Sequence, residues 1–145
     1  MQWTDLCEYG IHEAIIELLA DEYDTLLPVQ HKAIEAGLLD GQGMIVTAPT
    51  SSGKTLVGEL ALVPRAMRNL PGLYLAPTKA LCEAKYARLQ ESYEGLGLRT
   101  AICIRDRSAD DRLVSSGECD LAVAIPEKIQ ALLGGSGIAL GELFG

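Results

Sequence analysis

The sequence predicts an α/β protein with a parallel sheet covered by helices on both faces. Short, continuously apolar runs, typical of strands buried on both faces, recur along the chain, and amphipathic helical patterns separate them. A third observation supports this fold class: a glycine–lysine–threonine loop at residues 48–55 joins the first apolar run to a helical pattern. The 145 residues, 48% of them hydrophobic, are enough for one domain with a buried core.

The elements follow in order from local patterns. Apolar residues at helical spacing predict a helix over residues 11–22, and Pro28, favourable in a first turn, begins a second helix that ends near Gly41. The predicted strands are Met44–Thr47, Leu73–Ala76, Thr100–Ile104 and Leu121–Ile125. The predicted later helices cover residues 54–69, 79–94 and 127–133, with a short one near 109–115. The glycine-rich stretch 134–137 is predicted to be a loop.

The net charge of −8 is concentrated in the first third of the chain. Residues 1–47 contain nine acidic residues and a single base, Lys32, whereas the remaining residues contain eleven of each sign. Because polyanion binding depends on the local field at the contacting face, the acidic total does not exclude a nucleic-acid partner. No apolar run could cross a bilayer and no leader pattern opens the chain, which predicts a cytoplasmic protein without membrane contact.

The cysteines and histidines suggest structural roles. The four cysteines contain no C-x-x-C pair and lie in apolar or amphipathic stretches, so we expect reduced core thiols and no zinc site. They are Cys7, Cys82, Cys103 and Cys119. His12 and His31 fall in helical patterns and are expected to be structural.

Residues 48–55 predict a phosphate-binding loop. The segment reads Ala48, Pro49, Thr50, Ser51, Ser52, Gly53, Lys54 and Thr55. Small residues keep such a turn tight, so that backbone N–H groups at a helix N-terminus can point at phosphate oxygens. Lys54 is expected to reach the β- and γ-phosphates, and the Thr55 hydroxyl to bind Mg²⁺. The general pattern begins with glycine, where this chain has Ala48.

Four segments in order resemble superfamily-2 helicases. They are Leu27-Pro28-Val29-Gln30, Lys54 in its loop, Tyr74-Leu75-Ala76-Pro77-Thr78-Lys79-Ala80-Leu81 and Ile125-Pro126-Glu127-Lys128. Their spacing is similar to that of DExH-type enzymes, the archaeal repair helicases and the RNA-exosome and spliceosomal helicases. The resemblance covers nearly the whole chain. It implies a RecA-like P-loop fold, ATP and Mg²⁺ as cofactors, and an ATP-dependent helicase or translocase as the parent enzyme.

The resemblance also implies a domain organisation. Residues 1–145 would form the N-terminal part of the first RecA-like domain, incomplete at its C-terminus. The N-terminal helices with the Q-like motif would occupy residues 1–42, and the phosphate-loop core residues 43–145. The rest of the helicase core would be a partner of this part in the full-length parent.

The family's site residues carry over to positions that match its motifs. Gln30 stands where the Q motif reads adenine, for which an amide that donates and accepts is suited; alone, it would be a surface residue of a first helical turn. Lys54 and Thr55 would be the catalytic residues of the phosphate loop. The residues implied to contact a DNA or RNA backbone are Pro77, Thr78 and Lys79 of motif Ia, and Pro126, Glu127 and Lys128 of motif Ib.

Two departures from the family pattern matter. Ala124 and Ile125 replace the threonine and its neighbour that precede motif Ib, which removes one hydroxyl. The segment 105–107, Arg-Asp-Arg, stands where the family usually has Gly-Asp. Its arginines either approach phosphates or balance Asp110 and Asp111.

One catalytic motif is not found in the sequence. These enzymes need an Asp-Glu pair at the end of an apolar strand after motif Ib, to hold Mg²⁺ and activate the attacking water. No such pair follows Lys128, so we expect the chain alone to be inactive. A non-catalytic nucleotide-binding or interaction module remains an alternative. A small-molecule kinase is another, although it would not account for the motif Q, Ia and Ib segments.

Overall fold

The computed structural model describes residues 2–136 and Phe144. Two compact units make up the chain: an N-terminal unit, Met1–Pro64, and a C-terminal unit, Arg65–Gly145. The organisation predicted around a division between residues 42 and 43 stays a prediction. Within the described part of the chain, no helix is both long and apolar enough to cross a membrane.

The N-terminal unit begins with helices. A 3₁₀ helix over Trp3–Tyr9, which the sequence patterns did not predict, is followed by α1 (Glu13–Glu22) and α2 (Pro28–Glu35). The His12 side chain caps α1, because its Nδ1 accepts a hydrogen bond from the Ala14 N–H at 3.2 Å. Both predicted helices are confirmed, but α2 is shorter than expected, since residues 36–41 form turns.

The strand predicted over residues 44–47 is wrong. These residues form no strand, and Ile45 is 94% exposed. A strand exists only where a neighbouring strand accepts and donates its backbone hydrogen bonds. Among the described residues no such neighbour pairs with this segment. The apolar run therefore precedes the phosphate loop without being part of the sheet.

The phosphate loop is followed by α3 (Lys54–Ala66), three residues shorter than predicted. Its apolar residues recur every three or four positions, the spacing of one helix face. The buried ones are Leu56, Val57, Leu60, Val63 and Ala66.

The C-terminal unit contains a parallel sheet. Its strands are β1 (Gly72–Leu75), β2 (Thr100–Cys103) and β3 (Leu121–Ala124), in the spatial order β1-β3-β2. In the central strand, Leu121 is aligned with Gly72 on one side and with Thr100 on the other. All four residues of β3 are buried, and successive side chains point to opposite faces, so both faces of the sheet are covered there.

Helices α4 (Lys79–Tyr93), α5 (Asp111–Ser115) and α6 (Pro126–Ser136) accompany this sheet. α4 contacts β2 and β3, and Val114 of α5 and Ile129 of α6 join a buried cluster with β2 and β3 residues. The predicted parallel α/β sheet is confirmed. Residues 134–136, predicted as loop, continue α6, and Gly137 lies outside the described residues.

The thiols divide into two classes. Cys82, Cys103 and Cys119 are buried as predicted, whereas Cys7 is exposed, so the expectation of a core thiol was wrong there. Burial raises the pKa of Cys103 to about 12 and that of Cys119 to about 11. These two thiols are therefore protonated at neutral pH and act as small apolar core residues.

Candidate functional site

The phosphate loop has the backbone geometry of an anion site. Ser51 and Gly53 both have positive φ, 62° and 87°, and α3 begins at the next residue, Lys54. Left-handed residues in a turn direct successive N–H groups toward one side, and the first turn of a helix leaves its N–H groups without intrahelical partners. A non-glycine residue such as Ser51 in this conformation is uncommon, so the surrounding structure must enforce it.

The Lys54 ammonium group lies over the loop that precedes it. Its Nζ donates to the carbonyl oxygens of Ala48 at 2.5 Å and Pro49 at 2.6 Å. An ammonium has three donors, so these two bonds leave one N–H free. The structure thus places the charge of Lys54 at the loop, and its contact with the β- and γ-phosphates stays a prediction.

Gln30 connects α2 to the loop. Its Oε1 accepts a hydrogen bond from the Leu27 N–H at 2.7 Å, and its Nε2 donates to the Gly53 carbonyl oxygen at 3.1 Å. The residue is only 2% exposed. The first bond is the return half of a capping box, which a glutamine at the third helical position indicates. The second bond positions the loop, and the sequence reading missed it.

The adenine contact of Gln30 stays a prediction. After its two bonds the amide retains one N–H and one carbonyl lone pair, which is the pair of groups that an adenine edge requires. A single side chain could therefore serve both the loop and the base.

Gly53 lies close to the side chains of Leu27 and Gln30. A Cβ atom at this position would lie 2.5 Å from Gln30 Nε2 and 2.8 Å from Leu27 Cδ1. Both side chains would have to shift to admit a Cβ, and the positive φ independently favours glycine. The requirement for glycine at this position of the phosphate-loop pattern therefore has a local cause in the N-terminal unit.

A cavity of ≈ 390 Å³ opens beside the loop. Its lining is Leu27, Pro28, Val29, Lys32, Thr47, Ala48, Pro49, Ser51 and Ser52. The Ser52 hydroxyl oxygen is buried and has no hydrogen-bond partner within the described chain. Such an orphaned polar group, together with the Lys54 charge, fits an anionic ligand that supplies acceptor oxygens.

The metal prediction rests on Thr55, the second residue of α3, which is exposed. Among the described residues, no three His, Cys, Asp or Glu side chains gather as a metal site. Mg²⁺ is reluctant to lose its hydration, so a site in which phosphates and water supply most of the metal ligands suits it. The role of Thr55 stays a prediction.

The motif Ia residues lie at the start of α4 in the C-terminal unit. Thr78 caps the helix, since its Oγ1 accepts a hydrogen bond from the Leu81 N–H at 3.3 Å. Lys79 begins the helix, and its Nζ lies 2.7 Å from Asp106 Oδ2. This ion pair raises the pKa of Lys79 and lowers the pKa of Asp106, in each case chiefly through the hydrogen bond between them.

The motif Ib residues lie at the start of α6. Pro126 and Glu127 are exposed, whereas Lys128 is half-buried and its Nζ lies 2.6 Å from Asp111 Oδ2. Both side chains of this pair are largely covered, at 17% and 18% exposure, so Lys128 ties α6 to α5. A contact of Lys128 with nucleic acid stays a prediction, and it would have to replace this pair.

The balance of Asp110 and Asp111 by the arginines of segment 105–107, one of the two alternatives, is not what the structure shows. Asp110 accepts a hydrogen bond from the Ile102 N–H at 3.0 Å, and Asp111 is paired with Lys128. The Arg107 guanidinium lies over the Tyr86 ring, 4.9 Å from its centroid. Both acids therefore have partners other than the arginines.

A loop with the phosphate-loop pattern at the start of a helix, in a chain with a parallel α/β sheet, is typical of the class of P-loop proteins. Residues 27–142 match the model of the DEAD/DEAH box helicase family. The chain belongs to this family, and its resemblance to superfamily-2 helicases is confirmed.

The relatives include archaeal DNA helicases. The chain is 37% identical over 128 residues to the ATP-dependent DNA helicase Hel308 of Methanocaldococcus jannaschii, an alignment that covers 83% of this chain and 10% of the relative. It is 34% identical over 128 residues to the Hel308 of Pyrococcus abyssi, covering 87% of this chain and 18% of the relative. The chain therefore spans less than a fifth of the length of these relatives.

Solved helicase structures share the fold. A hypothetical ATP-dependent RNA helicase from Sulfolobus tokodaii superposes with a TM-score of 0.70 at 21% identity, covering 88% of this chain and 38% of the other. The RNA helicase Prp28 from Chaetomium thermophilum, solved bound to ADP, gives a TM-score of 0.72 at 23% identity, with coverages of 91% and 34%. The predicted RecA-like fold is confirmed.

Proposed function

We propose that this chain is the ATP-anchoring part of an ATP-dependent helicase or translocase that acts on nucleic acid. The observation that carries the proposal is the phosphate loop, in which two left-handed residues, a buried serine hydroxyl without a partner and the Lys54 ammonium converge. The archaeal relatives are ATP-dependent DNA helicases, which favours the same nucleotide here.

Each part of the loop has a role in holding ATP. The backbone N–H groups of residues 50–55 and the Ser52 hydroxyl donate to phosphate oxygens, and Lys54 supplies the charge at the β- and γ-phosphates. Thr55 offers its hydroxyl to Mg²⁺, which neutralises phosphate charge when bound. Gln30 holds the Gly53 carbonyl and presents its remaining donor and acceptor to adenine.

The nucleic-acid surface in this proposal belongs to the C-terminal unit. Pro77, Thr78 and Lys79 offer a hydroxyl, a cation and the N–H groups of a helix start, which bind phosphates without reading sequence. Pro126 and Glu127 stand at the corresponding end of α6, where the backbone N–H groups would make the contact. Lys128 supports this end of α6 through its pair with Asp111.

Base selection by Gln30 provides the first test. In Gln30→Ala, both ADP and GDP should bind more weakly because the Gly53 carbonyl loses its donor. The loss for ADP should be larger by about 1–3 kcal/mol, by analogy with amide readout of adenine. Calorimetric titration with the two Mg²⁺ nucleotides measures both losses, and Gln42→Ala, which removes an exposed glutamine, is the matched control. Equal losses for ADP and GDP would leave Gln30 with the positioning role alone.

Turnover tests whether this chain by itself carries the catalytic machinery of the parent enzyme. The chain alone should bind ATP but show no measurable hydrolysis, because Lys54 and Thr55 orient the triphosphate without activating water. An arginine from a second lobe, which is worth ~10³–10⁵ in rate, would also be required. A phosphate-release assay with and without single-stranded DNA or RNA measures this. Nucleic-acid-stimulated turnover that Lys54→Met abolishes would show that the catalytic carboxylate lies within these 145 residues.

A further inference from the structure

The turn after β2 lies against the start of α4 in the C-terminal unit. Ile104 and Arg107 form an isolated antiparallel bridge, and the Arg107 N–H donates to the Ile104 carbonyl oxygen at 3.2 Å. This closes a tight turn that carries Asp106 near its tip. The family resemblance assigned no role to this turn, although residues 105–107 stand where the family usually has Gly-Asp.

Two contacts hold the turn against α4. Asp106 Oδ2 lies 2.7 Å from Lys79 Nζ, and the Arg107 guanidinium lies 4.9 Å from the centroid of the Tyr86 ring. Tyr86 follows Lys79 by about two helical turns, so both anchor points lie on one face of α4. The turn is therefore held at two points along α4, and the Asp106 carboxylate is held at the Lys79 ammonium.

We propose that Asp106 is a built-in competitor for the phosphate that Lys79 would bind, so that nucleic acid reaches the start of α4 by exchanging a carboxylate for a phosphate. The inference rests on the proposed nucleic-acid surface. A carboxylate and a phosphate oxygen use the same donor in the same way, as charge-assisted acceptors of an ammonium N–H. While Asp106 occupies Lys79, the pair contributes no net charge to the attraction of a polyanion.

Because the pair of Lys79 and Asp106 is exposed, a phosphate can replace the carboxylate. The two side chains are 49% and 70% exposed, and ion pairs in this setting are weak and screened by salt. The pair thus lowers affinity without blocking the site. The buried pair of Lys128 and Asp111 provides a contrast, because its 17% and 18% exposure makes exchange with an incoming phosphate unfavourable.

The test compares two substitutions that each remove one acidic charge near Lys79. Asp106→Asn removes the competitor, whereas Glu83→Gln neutralises an exposed carboxylate on α4 that also acts on Lys79 but is not its hydrogen-bond partner. Binding of a fluorescent single-stranded oligonucleotide to the 145-residue chain is followed by anisotropy at several salt concentrations. Asp106→Asn should bind about two- to fivefold more tightly at low salt, the factor that an exposed ion pair represents. Glu83→Gln should change affinity less.

The salt dependence and a double substitution complete the experiment. For Asp106→Asn, the slope of log affinity against log salt should steepen by about 0.7, the value of one phosphate contact on a single strand. In the unsubstituted chain the carboxylate released from Lys79 takes up a cation and offsets that contact. In the Lys79→Met background, the gain from Asp106→Asn should shrink to that of Glu83→Gln. Thermal unfolding followed by circular dichroism verifies that each variant is folded.

The outcomes separate the two proposals. Equal gains for Asp106→Asn and Glu83→Gln, or a gain that persists without Lys79, would overturn the competitor role while leaving the surface in place. No oligonucleotide binding by any variant at low salt, in a chain that still binds Mg²⁺-ADP, would overturn the surface itself and the competitor role with it.

Discussion

Lys54→Met should abolish measurable binding of Mg²⁺-ADP and Mg²⁺-ATP. The Lys54 ammonium lies 2.5 and 2.6 Å from two loop carbonyls, and one N–H remains for a phosphate. We expect Lys54 to exchange at least one of these carbonyls for phosphate oxygens and so to donate to both the β- and the γ-phosphate. A hydrogen bond to a charged group contributes about 1.5–3 kcal/mol, and losing the two phosphate bonds predicts a decrease in affinity of at least about a hundredfold. Isothermal titration calorimetry of the wild type and the variant measures this difference.

Lys32→Met is the matched control for this substitution. Lys32 lines the cavity beside the phosphate loop but lies on α2, outside the loop itself. If phosphate charge is met by Lys54 in particular, Lys32→Met should lower affinity much less. Similar losses for the two variants would mean that the cavity attracts the nucleotide by its general positive field, and the assignment of Lys54 would be wrong.

Elements that depend on local sequence patterns were predicted correctly, whereas a strand that needs a partner distant in sequence was not. The parallel strands β1, β2 and β3 were predictable because each is a short, continuously apolar run, and α4 because its starting threonine is a helix cap. Residues 44–47 have the same apolar character. They form no strand because no described strand pairs with them, and no local pattern contains that information.

The site contacts that the sequence reading missed are long-range. The bond from Gln30 to Gly53 joins residues 23 positions apart, and the pair of Lys79 and Asp106 joins residues 27 positions apart. The phosphate-loop pattern and the family resemblance identified all four residues, or their segments, as candidates for the site. It could not show that one amide serves both a helix cap and the loop, or that a predicted phosphate-binding cation has an acidic partner.

Gly53→Ala should damage both the loop and the stability of the fold. The new Cβ would lie 2.5 Å from Gln30 Nε2 and 2.8 Å from Leu27 Cδ1, and the backbone φ of +87° is unfavourable for alanine. Such strain costs about 1–3 kcal/mol, which we expect as a decrease in the free energy of unfolding. Displacement of the loop should lower ADP affinity by at least about tenfold. Urea unfolding and calorimetric titration measure the two effects.

Gly43→Ala and a double substitution identify the cause of this loss. A Cβ atom at Gly43 would meet nothing within 4 Å, so Gly43→Ala should change stability by no more than about 0.5 kcal/mol. Removing the Gln30 amide also removes the closest obstacle to a Cβ at Gly53. The double variant Gln30→Ala/Gly53→Ala should therefore lose less stability than the sum of the two single losses, because the residues are in contact. Strict additivity would place the cost of Gly53→Ala in the backbone conformation and the Leu27 contact, and the close approach of the Gln30 amide would then have no part in the requirement for glycine.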